Sequence, residues 1–182
     1  MPFRLSANFN GILLLKGNSD LRLCPSCNNP TNKWAINVDS PQKPKSDFSV
    51  SADGYHMVSA KFYKMYHAAK LFGLKFTPLS SGFHMILPIR SVEIDLVHER
   101  ITKLKFCEIC GQYEEILVGQ ALPRLATGER DLADREFARS SLDYSHKTMK
   151  NFRLYAGDAV RKAMVNAEIT GAAVNRMSDQ QV

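Results

Sequence analysis

The strongest periodic pattern in the first half of the chain predicts an amphipathic helix. Apolar residues recur there at intervals of three and four positions, which places them on one helical face: Phe62, Met65, Tyr66, Ala69 and Phe72. Ser59 is the expected N-cap, because its hydroxyl can accept a bond from a free amide of the first turn. Gly73 is the expected C-terminal stop in the left-handed conformation.

A second helix is expected to begin near Asp158 and to end at Gly171. Its apolar positions again share one face: Val160, Ala163, Met164 and Ala167. A shift of 98 residues superimposes the two patterns, and Gly73 then coincides with Gly171. An internal duplication would leave this pattern, although two independent amphipathic helices that end in glycine would look similar.

The remaining patterns predict strands and loops, and together they indicate an α+β fold with mixed or antiparallel sheet elements and two principal helices. Period-two alternation or short apolar runs predict strands near 34–38, 83–89, 92–96, 101–106 and 114–118. The charged stretch 127–139 predicts a short solvent-facing helix. We expect one domain over residues 1–182, or two lobes of about 1–105 and 106–182 that share a metal site.

Composition is that of an ordinary globular protein. The chain has 182 residues, of which 45% are apolar and 23% charged, so it can bury a core without disulfides. The longest apolar run, 12–15, is too short to span a bilayer and lacks the features of a secretory signal. We therefore expect a cytoplasmic protein with no membrane partner.

Charge is distributed unevenly along the chain. Residues 1–105 contain fourteen Lys/Arg and seven Asp/Glu, whereas residues 106–182 contain ten and eleven, within a total of +6. A surplus of this size indicates a mildly basic, solvated surface unless the cations gather on one face. Concentration on one face would instead favour nucleic acid as a partner.

The four cysteines carry the most specific chemical signal. They form two C-x-x-C units, Cys24 with Cys27 and Cys107 with Cys110. Tetrahedral zinc takes four soft ligands, and a tight turn with cysteines at i and i+3 supplies two of them. Each pair is followed by a residue that tolerates positive φ: Asn28 and Gly111. The sequence therefore predicts one structural Zn²⁺ per chain.

The spacing between the pairs sets the site apart from an ordinary zinc ribbon. Seventy-nine residues separate Cys27 from Cys107, so the fold itself must bring the N-terminal and central segments together in a zinc-ribbon-like site. Redox-active dithiols and unmetallated thiols remain the alternatives. Four thiolates leave no coordination position for water, and no nucleotide-binding or nucleophile motif is present, so we expect no enzymatic activity.

The order of these segments resembles the double-CxxCG motif proteins. The resemblance is carried by Cys24-Pro25-Ser26-Cys27, by the helix and strand of 58–76, and by Cys107 to Gly111 with a closing helix. It covers 23–177, and Asn28 stands where the family has glycine. The family is known from paralogues in myxobacteria and from bacterial toxin loci, and only the four cysteines can be carried over as site residues.

The resemblance implies a non-enzymatic immunity protein whose partner is a cognate secreted toxin. Such a protein would bind the toxin and neutralise it by occlusion or by trapping an inactive form. The alternative is a zinc-ribbon-like nucleic-acid-binding or regulatory protein, which the isoelectric point near 9.2 favours.

Overall fold

The computed structural model of the protein describes residues 2–118, 125–126, 132–146 and 149–176. Two α-helices lie within this part of the chain, α1 (Ala60–Ala68) and α2 (Asp158–Asn166), together with a short 3-10 helix, Lys33–Ala35. The same part contains eleven strands: β1 (Phe3–Phe9), β2 (Phe48–Val50), β3 (His56–Val58), β4 (Leu74–Pro78), β5 (His84–Pro88), β6 (Ser91–Val92), β7 (Thr102–Cys107), β8 (Gln112–Leu117), β9 (Phe137–His146), β10 (Met149–Ala156) and β11 (Ala172–Arg176).

The strands form a mixed sheet. Its order is β4-β5-β3-β2-β1-β10-β9-β8-β7, with β11 paired to β1 and β6 paired to β9. The pairings β1 with β2 and β6 with β9 are parallel, and the others are antiparallel. The predicted α+β class, with mixed sheet elements and two principal helices, is confirmed. The division into one domain or two lobes stays a prediction.

The two helices have equivalent surroundings. Both α2 and β11 begin 98 positions after their counterparts α1 and β4. Both helices end in the same hydrogen-bonded motif, in which Lys70 (φ 51°) and Glu168 (φ 49°) take the left-handed conformation. The offset seen in the sequence therefore recurs in the backbone.

Gly73 and Gly171 do not end the helices as predicted, because Lys70 and Glu168 already do so. Both glycines have positive φ, of 97° and 84°, and each begins the approach to the following strand. A Cβ at Gly73 would lie 2.3 Å from the carbonyl oxygen of Phe137, and one at Gly171 would lie 2.3 Å from that of Phe48. These glycines are required by close backbone contact, not by the helix ends.

The N-terminal strand β1 takes the place among the C-terminal strands that β5 takes within the first half of the chain. The first strand, β1, pairs with β10 and β11 near the C-terminus, and β5 pairs with β3 and β4. The amide of Phe48 donates to the carbonyl of Thr170 at 2.9 Å, and at the equivalent place the amide of Phe137 donates to that of Phe72 at 3.0 Å. This reciprocal arrangement has the form expected of an internal duplication.

A shared core joins the helices to the sheet. The N-cap prediction is confirmed, because the amide of Phe62 donates to the Ser59 hydroxyl at 3.3 Å. The apolar faces of both helices meet the same buried cluster, which includes Leu5, Phe48, Phe62, Tyr66, Phe137, Phe152, Leu154, Val160 and Met164. Among the described residues, no helix is long and apolar enough to cross a membrane.

Several local predictions are wrong. The segment 34–38 forms no strand, since Trp34 lies in the 3-10 helix, and the strand near 92–96 is reduced to β6. The helix expected over 127–139 is absent from its described part, 132–139, where Phe137 begins β9. Residues 127–131 of that prediction lie outside the described residues.

Candidate metal centre

Two similar turns carry the cysteine pairs, and we call them the first and second knuckles. The second knuckle, residues 107–111, connects β7 to β8, which pair through Phe106 and Tyr113. The first knuckle, residues 24–28, is flanked by an isolated antiparallel bridge between Leu23 and Pro30. Adding 83 to the residue numbers of this bridge gives Phe106 and Tyr113, which pair in the same way. Each knuckle therefore closes a hairpin, which is short at the first knuckle and long at the second.

The backbone of each knuckle follows from the residue after its second cysteine. The amide of Asn28 donates to the Cys24 carbonyl at 2.9 Å, and that of Gly111 donates to the Cys107 carbonyl at 2.8 Å. Both Asn28 (φ 58°) and Gly111 (φ 68°) take the left-handed conformation, as predicted. This conformation turns the chain sharply enough for both sulfurs of a pair to face the same point.

The fold brings all four sulfurs together. The Sγ atoms of Cys24 and Cys107 lie 3.7 Å apart, and those of Cys27 and Cys110 lie 3.6 Å apart. All four lie within 4.8 Å of one another. A tetrahedral ion with bonds of about 2.3 Å to sulfur separates its ligands by about 3.8 Å. The four cysteines therefore fit one metal ion that joins the N-terminal and central segments.

Backbone amides prepare one cysteine of each pair for deprotonation. The amides of Cys27 and Ser26 lower the pKa of Cys24. Those of Cys110 and Ile109 act in the same way and lower the pKa of Cys107 to about 6. Such N–H groups stabilise a thiolate, which is the form that binds metal.

The second cysteine of each pair is affected in the opposite direction. The amide of Asn29 lowers the pKa of Cys27, but burial and the neighbouring thiols outweigh it and raise that pKa to about 12. Burial also raises the pKa of Cys110. A bound cation removes the proton from a coordinating thiol, so metal binding would release protons mainly from these two residues.

Two side-chain amides connect the knuckles across the cluster. Asn29 donates to the carbonyl of Tyr113 at 3.2 Å, and Gln112 donates to that of Pro30 at 3.4 Å. The ammonium of Lys150 in turn donates to the Gln112 side-chain oxygen. The sequence analysis did not predict a role for these residues. The signal was present, because the offset of 83 residues between the cysteine pairs also separates Asn29 from Gln112.

Comparisons of the chain's sequence with known proteins found no match. No family model matches the chain, and no curated protein sequence matches it.

Proposed function

We propose that the protein is a non-enzymatic immunity protein that binds a cognate bacterial toxin and neutralises it. One Zn²⁺, held by Cys24, Cys27, Cys107 and Cys110, would keep the binding surface in place. Support comes from the resemblance to double-CxxCG motif proteins and from the clustering of the four sulfurs. Zinc suits the cluster because it favours tetrahedral thiolate sites, and four thiolates suit a structural ion.

The observation that carries this proposal is an apolar surface beside the metal centre. The hairpin of β7 and β8 exposes Ile109 at the tip of the second knuckle (68% exposed) and Phe106 in β7 (48%). Leu23, next to the first knuckle, is 49% exposed. Large exposed apolar side chains held on a rigid support are typical of protein interaction sites.

Charge on the same hairpin also favours a protein partner. The ammonium of Lys105 lies 3.6 Å from a carboxylate oxygen of Glu114 and 3.7 Å from one of Glu115. These acids offset the lysine, so the hairpin does not present an uninterrupted basic stripe. Apolar anchors with mixed charges around them match the core and rim of a protein interface.

A second candidate function, nucleic-acid binding, is favoured by a different region. A cleft between the end of β1 and the loop 42–46 contains Phe9, Lys43 and Lys45, and its described lining includes no acidic residue. Phe9 is 71% exposed. An exposed ring beside lysines can stack a base and contact phosphates of a single strand.

Co-expression with the toxin domain encoded by the adjacent gene tests the proposal. We expect growth to be rescued and the two proteins to purify as a stoichiometric complex. The double substitution Phe106→Ser with Ile109→Ser should weaken the complex at least about tenfold, because central apolar anchors dominate such interfaces. Val165→Ser is the matched control, since Val165 is 62% exposed on α2, away from the hairpin.

Two outcomes would contradict the immunity proposal, and a third would contradict the role of the hairpin in it. Rescue at strongly substoichiometric amounts would indicate an enzyme that reverses the damage. Salt-sensitive binding of single-stranded RNA or DNA without rescue, abolished by Lys43→Gln with Lys45→Gln, would favour the nucleic-acid function. An equal loss of binding in the hairpin and Val165 variants would place the interface elsewhere.

A further inference from the structure

A cavity of about 570 Å³ lies beside the metal centre. Its walls come from the segment 30–35 after the first knuckle, from 111–113 after the second knuckle, and from β9 and β10. Metabolite-sized ligands occupy cavities of roughly 300 to 1,000 Å³. The size therefore fits a small organic molecule.

Two lysines in the wall are buried. Lys33 is 3% exposed and Lys150 is 7% exposed. Within the part of the chain that the structure describes, no carboxylate lies within ion-pair distance of either ammonium. Lys33 donates to the backbone carbonyls of Asp53 and Lys150, which leaves one of its three donors for a further partner. Burial of these ammonium groups is costly, and the charges of Asp53 and Asp143 offset part of that cost for Lys33 from beyond ion-pair distance.

A third cation faces the same cavity. Nη1 of Arg139 is buried and has no hydrogen-bond partner among the described residues. It lies 3.6 Å from Oδ1 of Asp143, whose other carboxylate oxygen accepts a bond of 2.6 Å from the Trp34 indole. Asp143 is the one acidic residue in the described lining, against three cations.

The metal centre offsets part of this positive charge. Four thiolates with one divalent ion carry a net charge of −2. Burial lowers the pKa of Lys150, and the charge of Asp143, followed by those of the Cys110 and Cys27 thiolates, acts in the opposite direction. Within the described lining, Lys33 and Arg139 then face the cavity with Asp143. The carboxylate of Asp53, which also raises the pKa of Lys33, lies outside the lining and accepts bonds from Leu15 and Ser51.

We propose that this cavity binds a small ligand through an oxyanion group, a phosphate or a carboxylate, received by Arg139 with Lys33 and Lys150. Arg139 would supply a pair of parallel donors, which suits the planar arrangement of oxygens in both groups. Burial lowers the pKa of Lys33 to about 8, so this lysine still carries charge near neutral pH. The cavity borders β8 of the hairpin, and the proposal does not depend on a toxin partner.

Calorimetric titration of the zinc-loaded full chain with inorganic phosphate, and separately with succinate, tests this site at matched ionic strength. We expect saturable one-to-one binding of at least one probe, with a Kd below about 1 mM. Binding of phosphate alone assigns a phosphate ester, binding of succinate alone assigns a carboxylate, and binding of both assigns a site that recognises charge. Binding of neither probe up to about 20 mM would overturn the proposal.

Substitutions locate the binding. Arg139→Gln should weaken it at least about tenfold, the usual effect of losing a hydrogen bond to a charged group. Arg161→Gln, on the surface of α2, should not change it. If Arg139→Gln prevents folding, as judged by the absorption of the cobalt-substituted centre, Ala35→Trp decides instead. Ala35 is exposed at the cavity wall, so the larger ring should obstruct entry and leave every cation in place. Unchanged affinity in the folded variant would overturn the proposal.

Discussion

Asn29 and Gln112 directly follow the first and second knuckles, and each donates its side-chain amide to a backbone carbonyl just after the opposite knuckle. Asn29 is almost fully buried, at 1% exposure, and its bond to Tyr113 is 3.2 Å long. Gln112 is half-buried, and its bond to Pro30 is longer, at 3.4 Å. The two knuckles are therefore joined by hydrogen bonds as well as by their shared sulfur cluster.

Asn29→Ala should weaken metal binding about tenfold or more, because residues that orient metal ligands commonly contribute that much. Gln112→Ala should have a smaller effect, since its amide is more exposed and its bond is longer. Competition with a chromophoric chelator measures both affinities. An effect of Gln112→Ala larger than that of Asn29→Ala would contradict the proposed order.

Removal of one sulfur should destabilise the whole fold. Cys107→Ser is expected to lower the free energy of unfolding by about 4 kcal/mol or more, because loss of a structural metal is among the costliest substitutions. For a chain of this length, the melting temperature would fall by about 10 °C. Ser26→Ala, an exposed change within the first knuckle, should leave the melting temperature nearly unchanged. Similar melting temperatures for both variants would show that the cysteines do not clamp the fold.

The equivalent glycines provide a test that is independent of the metal. Gly171→Ala should lower the free energy of unfolding by about 3 kcal/mol, because positive φ costs about 1 to 2 kcal/mol and the new Cβ meets the Phe48 carbonyl. Gly73→Ala should lower the free energy of unfolding by a similar amount, because its new Cβ meets the Phe137 carbonyl. Gly17→Ala is the control, because Gly17 also has positive φ but a Cβ added there would meet no described atom within 4 Å. Urea unfolding measures all three, and equal losses would contradict the role of close contact.

The sequence was sufficient to predict that the four cysteines cluster, because the C-x-x-C spacing carries the local chemistry. Left-handed conformations at Asn28 and Gly111 also follow from residue type alone. The residues that form hydrogen bonds around the cysteines could not be predicted in this way. Lys150, for example, reaches Gln112 only because β10 packs beside the second knuckle. Contacts between distant segments depend on sheet pairing, which local patterns do not encode.

The longest strands were missed for a related reason. In β10, the alternation of Phe152 and Leu154 on the buried side is present, but the charged Lys150 stands at the next inward position. That inward position lines the charged cavity instead of an apolar core. Conversely, Trp34 and Val38 alternate as in a strand, yet no neighbouring strand pairs with their described backbone.

The buried His56 should make stability depend on pH. Burial, with a smaller contribution from the charge of Lys33, lowers its pKa from 6.5 to about 4. Between these values the unfolded chain binds a proton that the folded chain does not, so stability falls as the pH drops from about 6.5 towards 4. The loss attributable to His56 should reach up to about 3 kcal/mol.

His56→Phe should reduce this loss, because a neutral ring would keep the stacking with Phe48 and Phe152. The exposed His67 is the control, and His67→Gln should keep the wild-type pH profile. Urea unfolding at several pH values, with metal content checked at each, gives the comparison. Identical profiles for His56→Phe and the wild type would contradict the assignment.

The candidate metal centre and its proposed role both depend on one zinc ion that would join the two knuckles through four sulfurs. Zinc K-edge X-ray absorption, with metal content measured on the same freshly purified sample, observes it without any substitution. We expect one zinc per chain, coordinated by four sulfurs at about 2.3 Å. Two metals per chain, nitrogen or oxygen directly bound to the zinc, or intrachain disulfides without metal would contradict it.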